Sequence, residues 1–286
     1  MNKPLILDGK KTAQAIQEEL TRDLRDLKER GVTPKLLIIL VGNNPASVIY
    51  VNNKERACRK IGVEVETVRL SENAKANEVA DTIVKANEDK NVHGIILQLP
   101  LPSHLNEFSL VELIKPEKDV DGLTSVNLGR LMLGKPNFVP ATPRGIVELL
   151  VRNSIPIARR RVVIVGRGEL VGKPLANLLL LHGERGDATV TVCHSKTEDL
   201  GMICQEAEIL IVAAGRPGLI TGDMVSDGVV VVDAGINRTE KGIVGDVEFD
   251  SVAVKAQAIT PVPGGVGPMT VAMLLANVIK AAKSSV

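Results

Sequence analysis

Residues 162–172 read Val-Val-Ile-Val-Gly-Arg-Gly-Glu-Leu-Val-Gly, and they decide the fold of the second half of the chain. The four β-branched residues predict a buried strand, and glycines follow it at 166, 168 and 172. A glycine-rich turn between a strand and a helix lets backbone N–H groups and the positive helix N-terminus approach a pyrophosphate. The stretch therefore predicts a Rossmann-type dinucleotide site, while a tight turn without a ligand remains the alternative.

The next apolar segment favours NADP over NAD. Residues 189–193 predict the second strand, which ends in His194-Ser-Lys-Thr197 rather than in Asp or Glu. An acidic residue at this place binds the ribose hydroxyls of NAD. Its absence, with Arg167, Ser195 and Lys196 as donors to a 2′-phosphate, predicts NADP as the cofactor.

Short apolar strands alternate with helices along the whole chain, which is the signature of an α/β fold. Further strands are expected at about 36–41, 63–70, 94–99, 209–213 and 229–232, and helices at about 13–30, 46–61, 77–87 and 175–181. Residues 115–143 are rich in Pro and Gly, and Thr142-Pro143 resembles the cap and first residue of a helix. We predict an α/β domain over 1–141, joined by a C-terminal helix at 270–286, and a Rossmann domain over 142–269.

Composition excludes several classes of function. The 286 residues carry 35 Lys and Arg against 34 Asp and Glu, with 3 Phe, 1 Tyr and no Trp. Without a basic stripe or aromatic platforms, we predict no nucleic-acid partner. No apolar run approaches the ~18 residues of a membrane span and no signal-peptide pattern is present, so we expect no membrane partner and a cytoplasmic location. The 3 cysteines lack a CxxC pair and the 4 histidines are scattered, so we predict no metal site.

Tyr50 and Lys54 lie four residues apart on a predicted helix, hence on one face. This helix follows the carboxyl end of a buried strand, where ligands of open α/β sheets bind. A lysine amine held against an apolar ligand is easier to deprotonate near neutral pH, which favours a role in proton transfer. A solvent-facing lysine beside a half-buried tyrosine would show the same spacing.

Three further segments carry polar or unusual residues. Gln98 ends the strand predicted at 94–99, where its amide would hold a lysine in one orientation. Lys118-Asp-Val-Asp-Gly122 has too few ligands for a calcium loop, so it is either a solvated turn or places Asp121 to accept paired hydrogen bonds from a heterocycle edge. Pro263-Gly-Gly-Val-Gly-Pro268 indicates a backbone that passes close to a flat ligand.

Together these segments resemble the bifunctional methylenetetrahydrofolate dehydrogenase/methenyltetrahydrofolate cyclohydrolase family. The resemblance covers nearly the whole chain, in the family's order. The matching strings are Val41-Gly, Ala46-Ser, Tyr50 with Lys54, Gln98-Leu-Pro-Leu-Pro102, Lys118-Asp-Val-Asp-Gly122, Thr142-Pro-x-Gly145, Val165-Gly-Arg, Gly172-Lys-Pro174, Thr189-Val-Thr, His194-Ser, Asp233-x-Gly-Ile-Asn237, Gly245-Asp-Val247 and Thr260-Pro-Val-Pro-Gly-Gly-Val-Gly-Pro-Met-Thr270.

The resemblance implies an enzyme that oxidises 5,10-methylenetetrahydrofolate with NADP and hydrolyses the methenyl product to 10-formyltetrahydrofolate. It implies two α/β domains around a cleft, a last helix packed back on the N-terminal domain, a homodimer, and a place in one-carbon metabolism and purine biosynthesis. Lys54 would be the proton-transfer group, Tyr50 would stack on the folate, Gln98 would orient Lys54, and Asp121 would anchor the pterin. The other implied folate contacts are Leu97, Leu99, Pro263, Gly264, Gly265, Val266 and Gly267, and the cofactor contacts are Gly166, Arg167, Gly168, Ser195 and Ile236.

Two positions depart from the family pattern, and three alternatives stay open. Gly168 replaces the usual Ser, which removes one hydroxyl near the cofactor phosphate, and residues 182–187 lengthen the connection to the second Rossmann strand. The chain could be a dehydrogenase without hydrolase activity or a non-catalytic NADP-binding regulatory protein. A short-chain dehydrogenase would use Tyr50 and Lys54 as a pair, but its dinucleotide turn would precede them in the chain.

Overall fold

The computed structural model describes residues 3–240 and 242–285. Its helices are α1 (Gly9–Glu29), α2 (Pro45–Ile61), α3 (Ala76–Glu88), α4 (Glu107–Val111), α5 (Ser125–Met132), α6 (Ala141–Arg152), α7 (Gly172–Leu179), α8 (Leu200–Gln205), α9 (Phe249–Ala253) and α10 (Val266–Lys283). Its strands are β1 (Leu5–Ile6), β2 (Lys35–Val41), β3 (Glu64–Leu70), β4 (Gly94–Leu97), β5 (Arg161–Val165), β6 (Thr189–Cys193), β7 (Ile209–Val212), β8 (Val230–Asp233), β9 (Asn237–Thr239), β10 (Gly242–Val244) and β11 (Ala258–Ile259).

The chain divides into two compact units, and each contains two segments of sequence. The Lys54 unit comprises Ala15–Ala141 and Val271–Val286, and the Rossmann unit comprises Met1–Gln14 and Thr142–Thr270. The predicted limits differ from this division for the first 14 residues, which were assigned to the N-terminal domain. They belong to the Rossmann unit because β1 pairs with β11 and the Lys10 N–H donates to the Gly264 carbonyl at 3.2 Å.

The sheet of the Lys54 unit is parallel, with the order β3-β2-β4. The central strand β2 is buried almost throughout, which explains its unbroken apolar sequence. Asn44 then caps α2, because its side-chain oxygen accepts hydrogen bonds from the N–H groups of Ala46 and Ser47 at 2.9 and 3.3 Å. Gly62 ends α2 with a positive φ of 91°.

The last helix packs on the Lys54 unit, as the resemblance implied. The Asn277 amide donates to the carbonyl oxygens of Val120 and Val139 at 2.8 and 3.1 Å, and Lys283 pairs with Asp23 at 2.9 Å. By length and composition alone, α10 is long and apolar enough to cross a membrane, although the sequence predicted no segment of that kind. However, 67% of this stretch is buried within the fold, a pattern typical of a core helix.

The Rossmann unit contains a parallel sheet with the order β1-β11-β8-β7-β5-β6. The order in which successive strands are added across the sheet reverses at β5, because β6 lies on one side of it and β7 on the other. Ligands of open α/β sheets bind outside the carboxyl ends of the strands at such a switch point. The predicted α/β architecture with a C-terminal Rossmann domain is therefore confirmed.

Several element limits differ from the predictions. β4 ends at Leu97, so Gln98 follows the strand rather than closing it, although its N–H still donates to the Ile39 carbonyl at 2.9 Å. Thr142 and Pro143 lie inside the first turn of α6 instead of capping it. The Pro- and Gly-rich region 115–143 contains the short helix α5, and α10 begins four residues before the predicted position 270.

Candidate active site

The Lys54 amine is held by residues from two other segments of its unit. Its Nζ donates to Gln98 Oε1 at 3.1 Å and lies 4.0 Å from Asp121 Oδ2. The Gln98 amide is itself fixed, because its Nε2 donates to the Leu99 carbonyl at 2.7 Å. This bond turns the amide oxygen toward the lysine, and the orienting role of Gln98 stays a prediction.

Strand order explains why these residues meet. Lys54 lies on the helix after β2, and Gln98 directly follows β4, the parallel neighbour of β2. A parallel bridge between Ile95 and Asp119 adds residues 118–122 along the other edge of β4. Since parallel strands present their carboxyl ends at one edge, the three polar residues converge there.

The two carboxylates of Lys118-Asp-Val-Asp-Gly122 have different roles in the structure. Asp119 is 1% exposed and organises the turn. Its two oxygens accept hydrogen bonds from the N–H groups of Gly122, Leu123 and Thr124, from the Thr124 hydroxyl and from the Asn127 amide, at 2.8 to 3.1 Å. Asp121 is therefore the carboxylate that faces Lys54, and the segment is not a solvated turn.

The electrostatics of Asp121 follow from its surroundings. Burial raises the pKa of this carboxyl, the Lys54 ammonium opposes that rise, and the Asp119 carboxylate adds to it. A carboxylate deprived of water in this way gains most from a ligand that donates to both oxygens. The geometry accordingly suits Asp121 to a planar donor edge such as that of a pterin.

Two more residues of α2 lie on the Lys54 face. Tyr50 is 40% exposed, which leaves its ring accessible for stacking. Ser47, seven residues before Lys54, is 2% exposed, and within residues 3–240 and 242–285 its hydroxyl has no hydrogen-bond partner. No role was predicted for Ser47, although the spacing of 47, 50 and 54 along one helix face was readable from the sequence.

The segment 263–267 lies in the Rossmann unit. Pro263 is exposed, whereas Gly265 and Val266 are buried, and the Gly265 N–H donates to the Pro261 carbonyl at 2.8 Å. Val266 and Gly267 form the first turn of α10 rather than a loop, since proline at 268 is tolerated there. In the Lys54 unit, the Leu97 side chain packs in the core and leaves only its backbone for a ligand.

The turn after β5 has the shape predicted for a dinucleotide cradle. Gly166 has a φ of 129°, and a Cβ there would lie 2.2 Å from the Ala213 carbonyl oxygen, so only glycine fits. Arg167 and Gly168 are exposed beyond it. The residues present therefore fit a bound pyrophosphate at this turn.

The neighbouring strands supply the other predicted cofactor contacts. After β6, the His194 N–H donates to the Thr197 hydroxyl at 2.8 Å, which closes a short turn and leaves Ser195 exposed. Ile236 follows β8 and is 46% exposed. The longer connection at 182–187 is anchored within the same unit, because Arg185 pairs with Glu148 on α6.

Fold and sites define a two-domain α/β enzyme, with a lysine-centred site in one unit and a dinucleotide-binding turn in the other. Residues 7–121 match the model of the tetrahydrofolate dehydrogenase/cyclohydrolase catalytic domain, and residues 140–286 match that of the NAD(P)-binding domain. The chain belongs to the tetrahydrofolate dehydrogenase/cyclohydrolase family. The resemblance seen in its motifs is thereby confirmed.

Relatives match over the whole length. The bifunctional protein FolD of Exiguobacterium sibiricum is 50% identical over 98% of this chain and 99% of its own. The structure of bifunctional FolD from Campylobacter jejuni is 47% identical with a TM-score of 0.95, covering 98% of this chain and 99% of that one. Trypanosoma brucei FolD, solved with NADP cofactor and an inhibitor, is 39% identical with a TM-score of 0.94 and covers 100% and 99%.

Proposed function

We propose that the protein oxidises 5,10-methylenetetrahydrofolate to 5,10-methenyltetrahydrofolate with NADP and hydrolyses the product to 10-formyltetrahydrofolate. The observation that carries this proposal is the Lys54 amine, held 3.1 Å from Gln98 Oε1 and 4.0 Å from Asp121 Oδ2. It lies in the segment that matches the family's catalytic domain.

The turn after β5 is the proposed cofactor site. When bound, NADP accepts the hydride that leaves the methylene bridge of the folate. Gly166, Arg167 and Gly168 would hold its phosphates, while Ser195, after β6, and Ile236, after β8, would contact it. The absence of an acidic residue after β6 supports NADP over NAD, and parallel titrations with both cofactors test this preference.

The chain's own residues have separate tasks in the two reactions. Removal of a hydride from the methylene bridge leaves a cation without moving a proton, so this step needs mainly positioning, by Asp121 on the pterin and Tyr50 against its face. Hydrolysis adds water to the cationic carbon, and one proton must leave as the new C–O bond forms. The Lys54 amine takes that proton. The bond from the carbon to N5 then breaks as the C=O bond of the formyl group forms, and the remaining hydroxyl proton moves to N5.

Replacing Lys54 by Met tests the assignment. We expect loss of methenyl hydrolysis by about 100-fold or more, because general base catalysis contributes on the order of 10²–10⁴. Hydride transfer, followed as NADPH absorbance, is expected to fall less. Lys60→Met is the matched control, since Lys60 is an exposed residue of the same helix.

The outcomes separate the rival functions. Near-normal hydrolysis by Lys54→Met would refute the role of Lys54. A wild-type protein that forms NADPH but hydrolyses no faster than buffer would be a dehydrogenase alone. NADP binding without any NADPH formation would indicate a regulatory protein.

We further propose a homodimer that pairs β6 with its own copy. β6 is the edge strand of the Rossmann sheet, and Val192 on it is 38% exposed, with Leu180 58% exposed at the end of α7. Antiparallel pairing about a two-fold axis presents the same surface from both subunits and covers such an edge. Light scattering should give twice the mass of 30.5 kDa, and Val192→Asp should reduce it to one copy; an unchanged mass would exclude this interface.

We also propose that the enzyme is cytoplasmic, has no membrane partner and supplies 10-formyltetrahydrofolate to purine biosynthesis. Both substrates are water-soluble, and the apolar helix α10 is mostly buried. Cell fractionation tests the location. Purine auxotrophy after gene deletion, relieved by wild type but not by Lys54→Met, tests the pathway.

A further inference from the structure

Two buried carboxylates lie next to each other at the carboxyl edge of the Rossmann sheet. Asp233 ends β8 and is 3% exposed, and Asp246 follows β10 and is 0% exposed. The two residues are hydrogen-bonded to each other, because the backbone N–H of Asp246 donates to Asp233 Oδ1 at 3.0 Å. Burying two like charges side by side is costly, so each must be compensated by donors.

Asp246 joins two loops that are distant in sequence. Its Oδ2 accepts the N–H groups of Ala214 and Gly215, after β7, at 2.6 and 2.8 Å. Its Oδ1 accepts the Asn237 amide, after β8, at 2.7 Å. One carboxylate therefore fixes the loop after β7 to the loop after β8.

Asp233 fixes the loop after β8 through hydrogen bonds to its backbone. Its oxygens accept the N–H groups of Gly235 and Val247 at 2.9 Å, in addition to that of Asp246. A Cβ on Gly245 would lie 1.8 Å from Asp233 Oδ2, so the chain approaches the carboxylate as closely as only glycine allows. The motifs Asp233-x-Gly-Ile-Asn237 and Gly245-Asp-Val247 are thus one hydrogen-bonded assembly.

This assembly borders the dinucleotide turn. The loop that Asp246 holds begins at Ala213, whose carbonyl oxygen packs against Gly166. The other loop carries Ile236 between Gly235 and Asn237. Both loops follow strands on the same side of β5, where the order of the sheet reverses.

We infer that Asp246 is a positioning residue for the cofactor: it sets the backbone of 213–215 and the side chain of Ile236 against the dinucleotide. The inference rests on the proposed cofactor site and concerns binding of NADP and hydride transfer. Asp246 itself is fully buried, so it would act through these loops rather than by touching the cofactor. Hydrolysis at Lys54, which lies in the other unit, does not require it.

Asp246→Asn is the test variant, because it keeps the shape but places an amide N–H₂ group against donors. We expect the NADP Kd, measured by calorimetry, to rise about 10-fold or more, since at least one hydrogen bond to a charged group is lost. The dehydrogenase kcat/KM should fall at least as much, while methenyl hydrolysis without cofactor should stay within about twofold of wild type. Asp223→Asn is the matched control, because Asp223 is an exposed carboxylate of the same unit that accepts a hydrogen bond from the Thr221 hydroxyl.

A second variant keeps the test decisive if Asp246→Asn does not fold. Asn237→Ala removes one donor to Asp246 and should weaken NADP binding about 3- to 10-fold with hydrolysis unchanged. Unchanged NADP affinity in either folded variant would overturn the inference, as would a parallel loss of both activities, because a purely structural role predicts the latter. Failure of the wild-type protein to bind NADP would instead overturn the proposed function.

Discussion

The two aspartates at 119 and 121 allow structure and chemistry to be separated by a pair of isosteric substitutions. In Asp119→Asn, the single amide oxygen replaces one carboxylate oxygen, and the N–H₂ group takes the place of the other. In the better orientation, the oxygen keeps the Thr124 and Asn127 donors, and the amide faces the N–H groups of Gly122 and Leu123. Two charge-assisted hydrogen bonds of about 1.5–3 kcal/mol each are then lost, so we expect destabilisation by about 3–5 kcal/mol.

Asp121→Asn is the control for the same turn. Its carboxylate is partly exposed and burial already raises its pKa, so a neutral amide should change the free energy of unfolding by less than about 1 kcal/mol. The KM for methylenetetrahydrofolate should instead rise about 10- to 100-fold, because paired hydrogen bonds to a charge are lost. Urea unfolding followed by circular dichroism, with steady-state kinetics, measures both. Equal stability losses in the two variants, or a loss below about 1 kcal/mol for Asp119→Asn, would refute the division of roles.

Three further predictions concern the Rossmann sheet and the thiols. Burial raises the pKa of Asp233 to about 6, above its ordinary 3.8, so the folded state binds this proton more tightly than the unfolded state does. The stability that this proton contributes is present in full below about pH 4 and is lost as pH rises through 6. Between pH 4.5 and 7.5, urea titrations should show that wild type loses about 2 kcal/mol of stability relative to Asp233→Asn. An equal dependence of stability on pH in the two proteins would contradict this. Gly166→Ala should raise the NADP Kd by about 10-fold or more, because its Cβ would displace the Ala213 carbonyl; an unchanged titration curve would show that the turn is not the cradle. Burial raises the pKa of Cys58 and Cys204 to about 12, so both thiols should resist Ellman's reagent until urea unfolds the chain, and rapid labelling of the native protein would exclude this environment.

The sequence predicted the convergence of Lys54 and Gln98 because this convergence depends only on which segments form the parallel strands. Leu36 to Val41 is an unbroken apolar run, and residues 94–97 form another. Once both are parallel neighbours, whatever follows them lies at one edge. The same logic placed Ser195 near the turn at Gly166.

The different roles of Asp119 and Asp121 depend on tertiary hydrogen bonds, which the sequence alone does not predict. Asp119 and Asp121 are the same residue type two positions apart, and the donors of residues 122–124 and of Asn127 determine which one is buried in the turn. The pairing of β1 with β11 was also missed, because two-residue strands carry no periodicity. Similarly, the glycines and prolines at 263–268 predicted a loop, yet the first turn of α10 begins there at Val266.

Neither unit is a continuous piece of chain, and this affects synthesis and engineering. The sheet of the Rossmann unit takes its edge strand β1 from residues at the start of the polypeptide, where β1 pairs with β11, and the Lys54 unit takes its closing helix from residues at the end. Nearly the whole chain must therefore be translated before either the Lys54 unit or the Rossmann unit contains all of its residues. Cutting the gene after codon 141 would yield two incomplete products, so producing the two units as independent polypeptides requires permuting the chain rather than dividing it.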